Sequence, residues 1–256
     1  MTKINLRELL HQVAEGLLSP DEALGRFCDR PLDELAQGIT LDTHRLWRTG
    51  LGEVVFATGK TPPQVVTCVR GLRDAGPVLV TRTNREMADA LLPAFPDGLF
   101  NEPSGLFALG TDPGLTPPWP QTGEVLVITA GTSDLGVALE AYGSARFFGL
   151  DCGLINDVGV AGVHRLTPHL PALRAARVII AVAGMDGALP SVLAGLLPTP
   201  IVAVPSSQRG GNPLGGIASL LAMLNSCSPG IVVANIDNGF GAAAFTAKLF
   251  KTQAGE

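Results

Sequence analysis

The sequence predicts an α/β protein in two parts, a doubly wound parallel-sheet domain preceded by a smaller α/β N-terminal domain. Three observations point there. Four short runs are apolar on both faces, rich in β-branched residues and separated by helical patterns. The 31 glycines and 20 prolines imply many tight connections. Residues 111–121, TDPGLTPPWPQ, hold too many prolines for a helix or a central strand. The chain is divided there, with 1–118 as an N-terminal helical and βαβ domain and 119–256 as the larger α/β domain.

The chain opens with a helix. Leu6, Leu9, Leu10, Val13 and Leu17 recur at the spacing of one apolar helical face. A second helix begins at Ser19-Pro20-Asp21-Glu22, with Ser19 as N-cap, Pro20 at the first position and Glu22 closing a capping box. EVVFA (53–57) reads as a strand. Thr61-Pro62-Pro63-Gln64 repeats the capping signature and starts a helix to about Ala75, which Gly76 ends. PVLVT (77–81) is the next strand and completes one βαβ unit. The larger part alternates VLVITA (125–130), VIIAVAG (178–184), PIVAVPS (200–206) and IVVANID (231–237) with helices. One of these is GIASLLAMLNS, where Ile217, Leu220, Leu221 and Leu224 keep helical spacing. Crossovers between parallel strands are right-handed, and ligands bind at strand carboxyl ends. That directs attention to 131–134, 184–190, 205–215 and 235–239.

Composition excludes several classes of function. Net charge is −5 without a long basic run, so no nucleic-acid footprint is present. No apolar stretch approaches the ~18 residues a membrane span needs. The start, MTKINLRELLHQ, lacks a signal-peptide core. Cys28, Cys68, Cys152 and Cys227 form no C-x-x-C pair, which argues against a thiolate zinc site and a disulfide framework. A reduced, cytoplasmic protein is expected.

The loops at strand ends carry the candidate chemistry. Gly131-Thr132-Ser133-Asp134 opens a helix, where free N–H groups favour an anion and Asp134 can move a proton; an ordinary N-cap explains the loop as well. Gly184-Met185-Asp186-Gly187-Ala188 permits close approach of a flat ligand, or is a plain strand-to-helix turn. His164 can move a proton near neutral pH and Arg165 can hold a phosphate or carboxylate, though a structural histidine beside a surface arginine is the commoner case. Asn225, Ser226 and Cys227 end an apolar helix, and Asn235, Asp237 and Asn238 crowd a strand end. A lone cysteine is usually a small core hydrophobe; as a nucleophile it needs a polar, accessible setting. Asp42, Arg45, Arg48, Glu53 and Lys60 lie beside a strand in 41–60, as a solvated surface or part of a site.

Taken together, AGTSDLGVALEA, DVGVAGVHRL, VAGMDGALPSVLAGLL, PIVAVPSS, LLAMLNSCSPGIVVANIDNGFGA and the N-terminal LDTHRLWRTGLGEVVFATGKTPPQ resemble successive blocks of the LarB family. The C-terminal half further resembles PurE, the aminoimidazole ribonucleotide carboxylase. The resemblance implies a PurE-like catalytic fold. It also implies carboxylation of the pyridinium ring of nicotinic acid adenine dinucleotide with CO2 as co-substrate. Hydrolysis of the phosphoanhydride would then give pyridinium-3,5-biscarboxylic acid mononucleotide and AMP. On this chain the resemblance makes Cys227 the covalent nucleophile. Asp134 and His164 become candidate proton carriers, and Arg165 an anion partner. Gly131, Thr132, Ser133, Gly184, Met185, Asp186, Gly187, Ala188, Asn225, Ser226, Asn235, Asp237 and Asn238 become candidate substrate contacts.

No tightly bound cofactor is implied. A divalent ion such as Mg2+ can assist anhydride cleavage, but no ligand spacing identifies a site. A homo-octamer is implied. The chain departs from the family at Gly136, where proline is expected, at Leu139, where an acid is expected, at Asp186 in place of glutamate, and at 208–212 in place of a tyrosine-containing loop. Two other readings stay open: an aminoimidazole ribonucleotide carboxylase-like enzyme, whose substrate is already an enamine and needs no thiol, and a non-catalytic nucleotide-binding module.

Overall fold

The computed structural model describes residues 6–28, 33–35, 38–207 and 214–254. The larger sheet is built from β7 (Val125–Thr129), β8 (Cys152–Ile155), β9 (Val178–Ala183), β10 (Ile201–Pro205) and β11 (Ile231–Val233). Its order is β11-β10-β9-β7-β8 and every pairing is parallel. The predicted two-faced apolar runs explain three of these strands, since β7, β9 and β10 are buried at every position. β11 differs. It is an edge strand of three residues, half-exposed, and the run 234–237 leaves the sheet while Asp237 N–H donates to the Pro205 carbonyl at 2.8 Å. β8 is a fifth strand that the sequence pattern did not single out.

Helices cover both faces of this sheet. They are α6 (Leu135–Phe147), α7 (Leu170–Ala175), α8 (Leu189–Leu196), α9 (Ile217–Leu224) and α10 (Gly239–Ala254). The chain runs from β7 to β8 on one side and then crosses to β9 on the other. The loops after β7 and β9 therefore diverge and leave a crevice at the carboxyl ends, the position where such sheets bind ligands. α6 is buried nearly all round, including Glu140. It has to be, because α10 and the N-terminal sheet pack on it as well as β7.

The N-terminal part begins with α1 (Leu6–Ala14) and α2 (Pro20–Cys28). The predicted capping box of α2 is present, Ser19 N–H donating to Glu22 at 2.9 Å and Glu22 N–H to Ser19 Oγ at 3.2 Å. The predicted stripe of α1 is only partly buried. Leu9 faces inward, whereas Leu10 and Leu17 are exposed and Leu18 takes the buried place. β1 (Asp33–Leu35) and β2 (Ile39–Leu41) form an antiparallel pair, followed by the short α3 (Arg45–Thr49).

A four-stranded sheet comes next, built from β3 (Val55–Phe56), β4 (Val78–Thr81), β5 (Leu99–Asn101) and β6 (Leu106–Leu109), in the order β3-β4-β6-β5. The βαβ unit is as expected, with α4 (Pro62–Leu72) joining parallel β3 and β4 behind the Thr61–Gln64 capping box. α5 (Arg85–Ala94) then leads into the antiparallel pair β5–β6.

The two sheets share one core. Leu79 of β4 with Leu106 and Ala108 of β6 belong to the same apolar cluster as Val125 of β7 and Ile180 of β9, with Tyr142 of α6 between the sheets. Gly136 explains its departure from the expected proline. A Cβ there would stand 2.7 Å from the Pro103 carbonyl oxygen, so only glycine lets the N-terminal domain approach the start of α6 this closely.

Candidate active site at the strand carboxyl ends

Asp134 follows β7 through a single 3-10 turn, Thr132–Asp134, and is buried at 4% exposure. Its carboxylate accepts the Gly131 N–H at 2.9 Å and hydrogen bonds from the Ser206 hydroxyl and the Gly184 N–H. Three strand ends thus converge on one carboxylate. Burial pushes its pKa up and the nearby Asp237 adds to the rise, while the bonds from Gly131, Ser206 and Gly184 oppose it. A buried carboxyl with a raised pKa, set in a cleft, suits a proton carrier. The Gly131 N–H, which the sequence offered to a ligand anion, is occupied by Asp134 itself.

A cleft of about 290 Å³ opens above this carboxylate, lined by Gly131, Ser133, Asp134, Arg165, Gly184, Met185 and Asp186 among others. Arg165 reaches it half-exposed and paired to Asp157 at 2.8 Å, so a ligand anion would share the guanidinium with that carboxylate. His164 is exposed beside Arg165 and does not line the cleft; neither does the exposed Thr132. Asp186 accepts the Ala188 N–H at 3.3 Å, which turns the chain into α8 beside Gly187.

The remaining candidates lie elsewhere. Asn235 and Asn238 line a separate cleft between β11 and α10. Asp237 turns toward the β10 end, where it accepts the Ser207 N–H at 2.8 Å and the Ser207 hydroxyl. Asn225, Ser226 and Cys227 sit after α9, which carries the chain about 12 Å away from the cleft end of the sheet, at 1.5 Å per residue over its eight residues. Ser226 Oγ is 2.7 Å from Ser191 Oγ of α8, and Ser228 Oγ donates to the Ser191 carbonyl. Cys227 itself is an exposed free thiol. One chain therefore does not bring Cys227 into the cleft of Asp134. The stripe Ile217, Leu221, Leu224 of α9 points outward, with the helix burying Ser219 and Met223 instead. Residues 208–212 lie outside the described residues.

Sequence reading missed three contributors. Ser206 touches Asp134, and Asp157 holds Arg165. Glu140 is 2% exposed and paired with Arg82, just past the end of β4, at 2.9 Å. The signal for Glu140 was present: a lone acid inside the otherwise apolar run of α6 must have a partner if buried. Among the described residues, four that are not glycine have left-handed backbones, Arg82, Asp157, Met185 and Asp237, and all follow the carboxyl ends of strands. Each costs about 1–3 kcal/mol, a strain that collects at functional sites.

Among the described residues, no group of three His, Cys, Asp or Glu side chains is placed to hold a metal ion, and no helix is long and apolar enough to cross a membrane.

Residues 34–110 match the LarB/PurE-like N-terminal domain and residues 124–256 match AIR carboxylase. An uncharacterized protein of Methanocaldococcus jannaschii is 36% identical over 256 residues, 96% of this chain and 97% of its own length. The N5-carboxyaminoimidazole ribonucleotide mutase of the same organism is 33% identical over 130 residues, 49% of this chain and 77% of the mutase. A crystal structure of a Treponema denticola PurE2 variant aligns with TM-score 0.36 and 22% identity, covering 51% of this chain and 90% of that one. With both of its domains matched and a relative aligned end to end, the chain belongs to the LarB family of PurE-like proteins, a family of carboxylase type.

Proposed function

We propose that the protein carboxylates carbon 5 of the pyridinium ring of nicotinic acid adenine dinucleotide and hydrolyses its phosphoanhydride, giving pyridinium-3,5-biscarboxylic acid mononucleotide and AMP. The observation that carries this reading is the exposed thiol of Cys227 in a carboxylase domain whose cleft holds a buried acid. A pyridinium ring is too electron-poor to attack CO2. A Cys227 thiolate adding to carbon 4 makes a dihydropyridine whose enamine carbon 5 is nucleophilic. Carbon 5 then bonds to CO2, and its proton passes to Asp134. The nitrogen lone pair expels the thiolate and restores the aromatic ring, so one difficult step becomes several easier ones. Water attacking phosphorus releases AMP.

The geometry adds a condition. Cys227 and Asp134 act on one ring only if the thiol comes from a second copy of the chain. The apolar stripe Ile217, Leu221 and Leu224, exposed beside Cys227 and the edge strand β11, suits such a contact. A closed homo-oligomer, an octamer in this proposal, would repeat it at every site. Arg165 would hold the substrate's carboxylate or phosphate, with His164 at the rim as a second proton carrier. The reaction would run in the cytoplasm.

The mutase relative supports a second reading, carboxyl transfer on an aminoimidazole ribonucleotide, for which no thiol is needed. Mass-resolved assays decide between them. The proposal expects a gain of one CO2 and release of AMP from nicotinic acid adenine dinucleotide with bicarbonate. Turnover of carboxyaminoimidazole ribonucleotide alone would replace it with the second reading.

A further inference from the structure

Arg82 stands where the N-terminal sheet meets the catalytic domain. It follows β4 in a left-handed conformation, φ 59°. Its Nε lies 2.9 Å from Glu140 Oε1, and its Nη2 donates to Glu140 Oε2 at 3.3 Å and to the Asp237 carbonyl. Glu140 Oε2 in turn accepts the N–H groups of Gly239 at 3.0 Å and Phe240 at 3.3 Å, capping the start of α10 with a negative charge. Gly239 is pressed so close to α6 that a Cβ there would collide with the Val137 carbonyl oxygen. One guanidinium therefore fixes both ends of the turn 237–239. The carboxylate of Asp237 holds Ser207, and the adjacent Ser206 donates to Asp134.

We infer that Arg82 is a positioning residue for the reaction: the N-terminal domain sets the placement of the Asp237 turn through this side chain, and through Ser206 and Ser207 the placement of Asp134. This gives the N-terminal domain a role in catalysis without contact to the reacting ring. It rests on the reading of Asp134 as the proton carrier. The planar fork is what the role needs, since an ammonium ion could neutralise Glu140 but could not bridge it to the Asp237 carbonyl in the same geometry.

The test compares Arg82→Lys with the wild type by hydrogen exchange and by carboxylation kinetics, with Arg85→Ala, which removes an exposed pair to Asp89, as control. Arg82→Lys is expected to melt near the wild type. Its amides in 235–241 and 205–207 should exchange about tenfold faster, while β7 and β9 exchange as before. Its kcat should fall about 100-fold with KM kept within about threefold, the effect of a small misplacement at the reacting centre. Wild-type exchange and kcat in the lysine variant would reduce Arg82 to a charge partner and overturn the inference. So would exchange raised evenly across both sheets, or a raised KM with kcat intact. If Arg82→Lys does not fold, the double variant Arg82→Gln, Glu140→Gln removes the buried charge with its partner and is read the same way. A wild type that carboxylates no pyridinium dinucleotide removes the proposed function; the exchange pattern then decides Arg82 alone.

Discussion

The two ends of the catalytic sheet are built on opposite principles. At the carboxyl ends, Asp134 is buried, bonded to three strand ends and pushed toward its neutral form by its own chain. At the far end of α9, Cys227 is exposed, and its neighbours Leu221 and Leu224 present bare apolar surface. The acid is fully conditioned within one chain; the thiol is not. A reactive cysteine needs an electropositive or polar surround, and beside Cys227 a single copy sets only the hydrogen-bonded hydroxyls of Ser226 and Ser228 with Ser191 among the described residues. In the proposed mechanism, one half of the site is therefore finished within a chain and the other is not. The surface beside the unfinished half is the kind that a second copy covers.

Breaking each half in turn should give graded losses. The largest is expected for Cys227→Ser. Loss of the nucleophile should cost about three or more orders of magnitude in carboxylation. The melting temperature should barely move, because the side chain is exposed. A well-folded serine variant that still carboxylates would remove the covalent mechanism.

Asp134→Asn should follow, with a loss of about 100- to 10,000-fold. Its stability signature is opposite in kind. Because burial raises the pKa of Asp134, the native state holds that proton more tightly than the unfolded chain. The stability this contributes is complete below the unfolded pKa and is lost as pH rises through the folded value. Asparagine has no proton to lose. The variant should therefore gain stability relative to the wild type as pH rises through that window, read by denaturant melts across pH. A gap that stays constant with pH would show that the carboxylate is not strained by burial.

A smaller effect is expected from Leu221→Glu, which puts a charge on the exposed stripe of α9. It should leave the fold intact, lower the oligomer mass seen by light scattering, and reduce activity by about tenfold or more with that dissociation. A monomeric variant with full activity would mean that each chain completes its own site.

The sheet and its cleft were legible for a physical reason. Buried parallel strands leave two-faced apolar runs, and β7, β9 and β10 show them without ambiguity. Edge strands leave weaker marks: β8 holds only four residues with Gly153 among them, and β11 ends where IVVANID still reads as strand. The cleft residues Gly131, Asp134, Gly184 and Asp186 followed from the rule that ligands sit at strand carboxyl ends. What could not be read was partnership across long separations. Nothing local to Arg82 says that it meets Glu140 and Asp237, and nothing in PSSQ or NSCS says which of Ser206 and Cys227 faces Asp134. Cys227, Asn235 and Asn238 share a sequence block that supplies no residue to this cleft: α9 carries Cys227 toward the far end of the sheet, and Asn235 and Asn238 line the cleft between β11 and α10.

Complementation between inactive variants tests the two-copy site most directly. Asp134→Asn and Cys227→Ser chains, each inactive alone, would be co-expressed so that they assemble together. Where one chain supplies the acid and its neighbour the thiol, random mixing leaves about a quarter of sites with both groups intact. Carboxylation of nicotinic acid adenine dinucleotide should return to about that fraction of the wild-type rate. Mixed oligomers as inactive as either parent would contradict a site shared between copies.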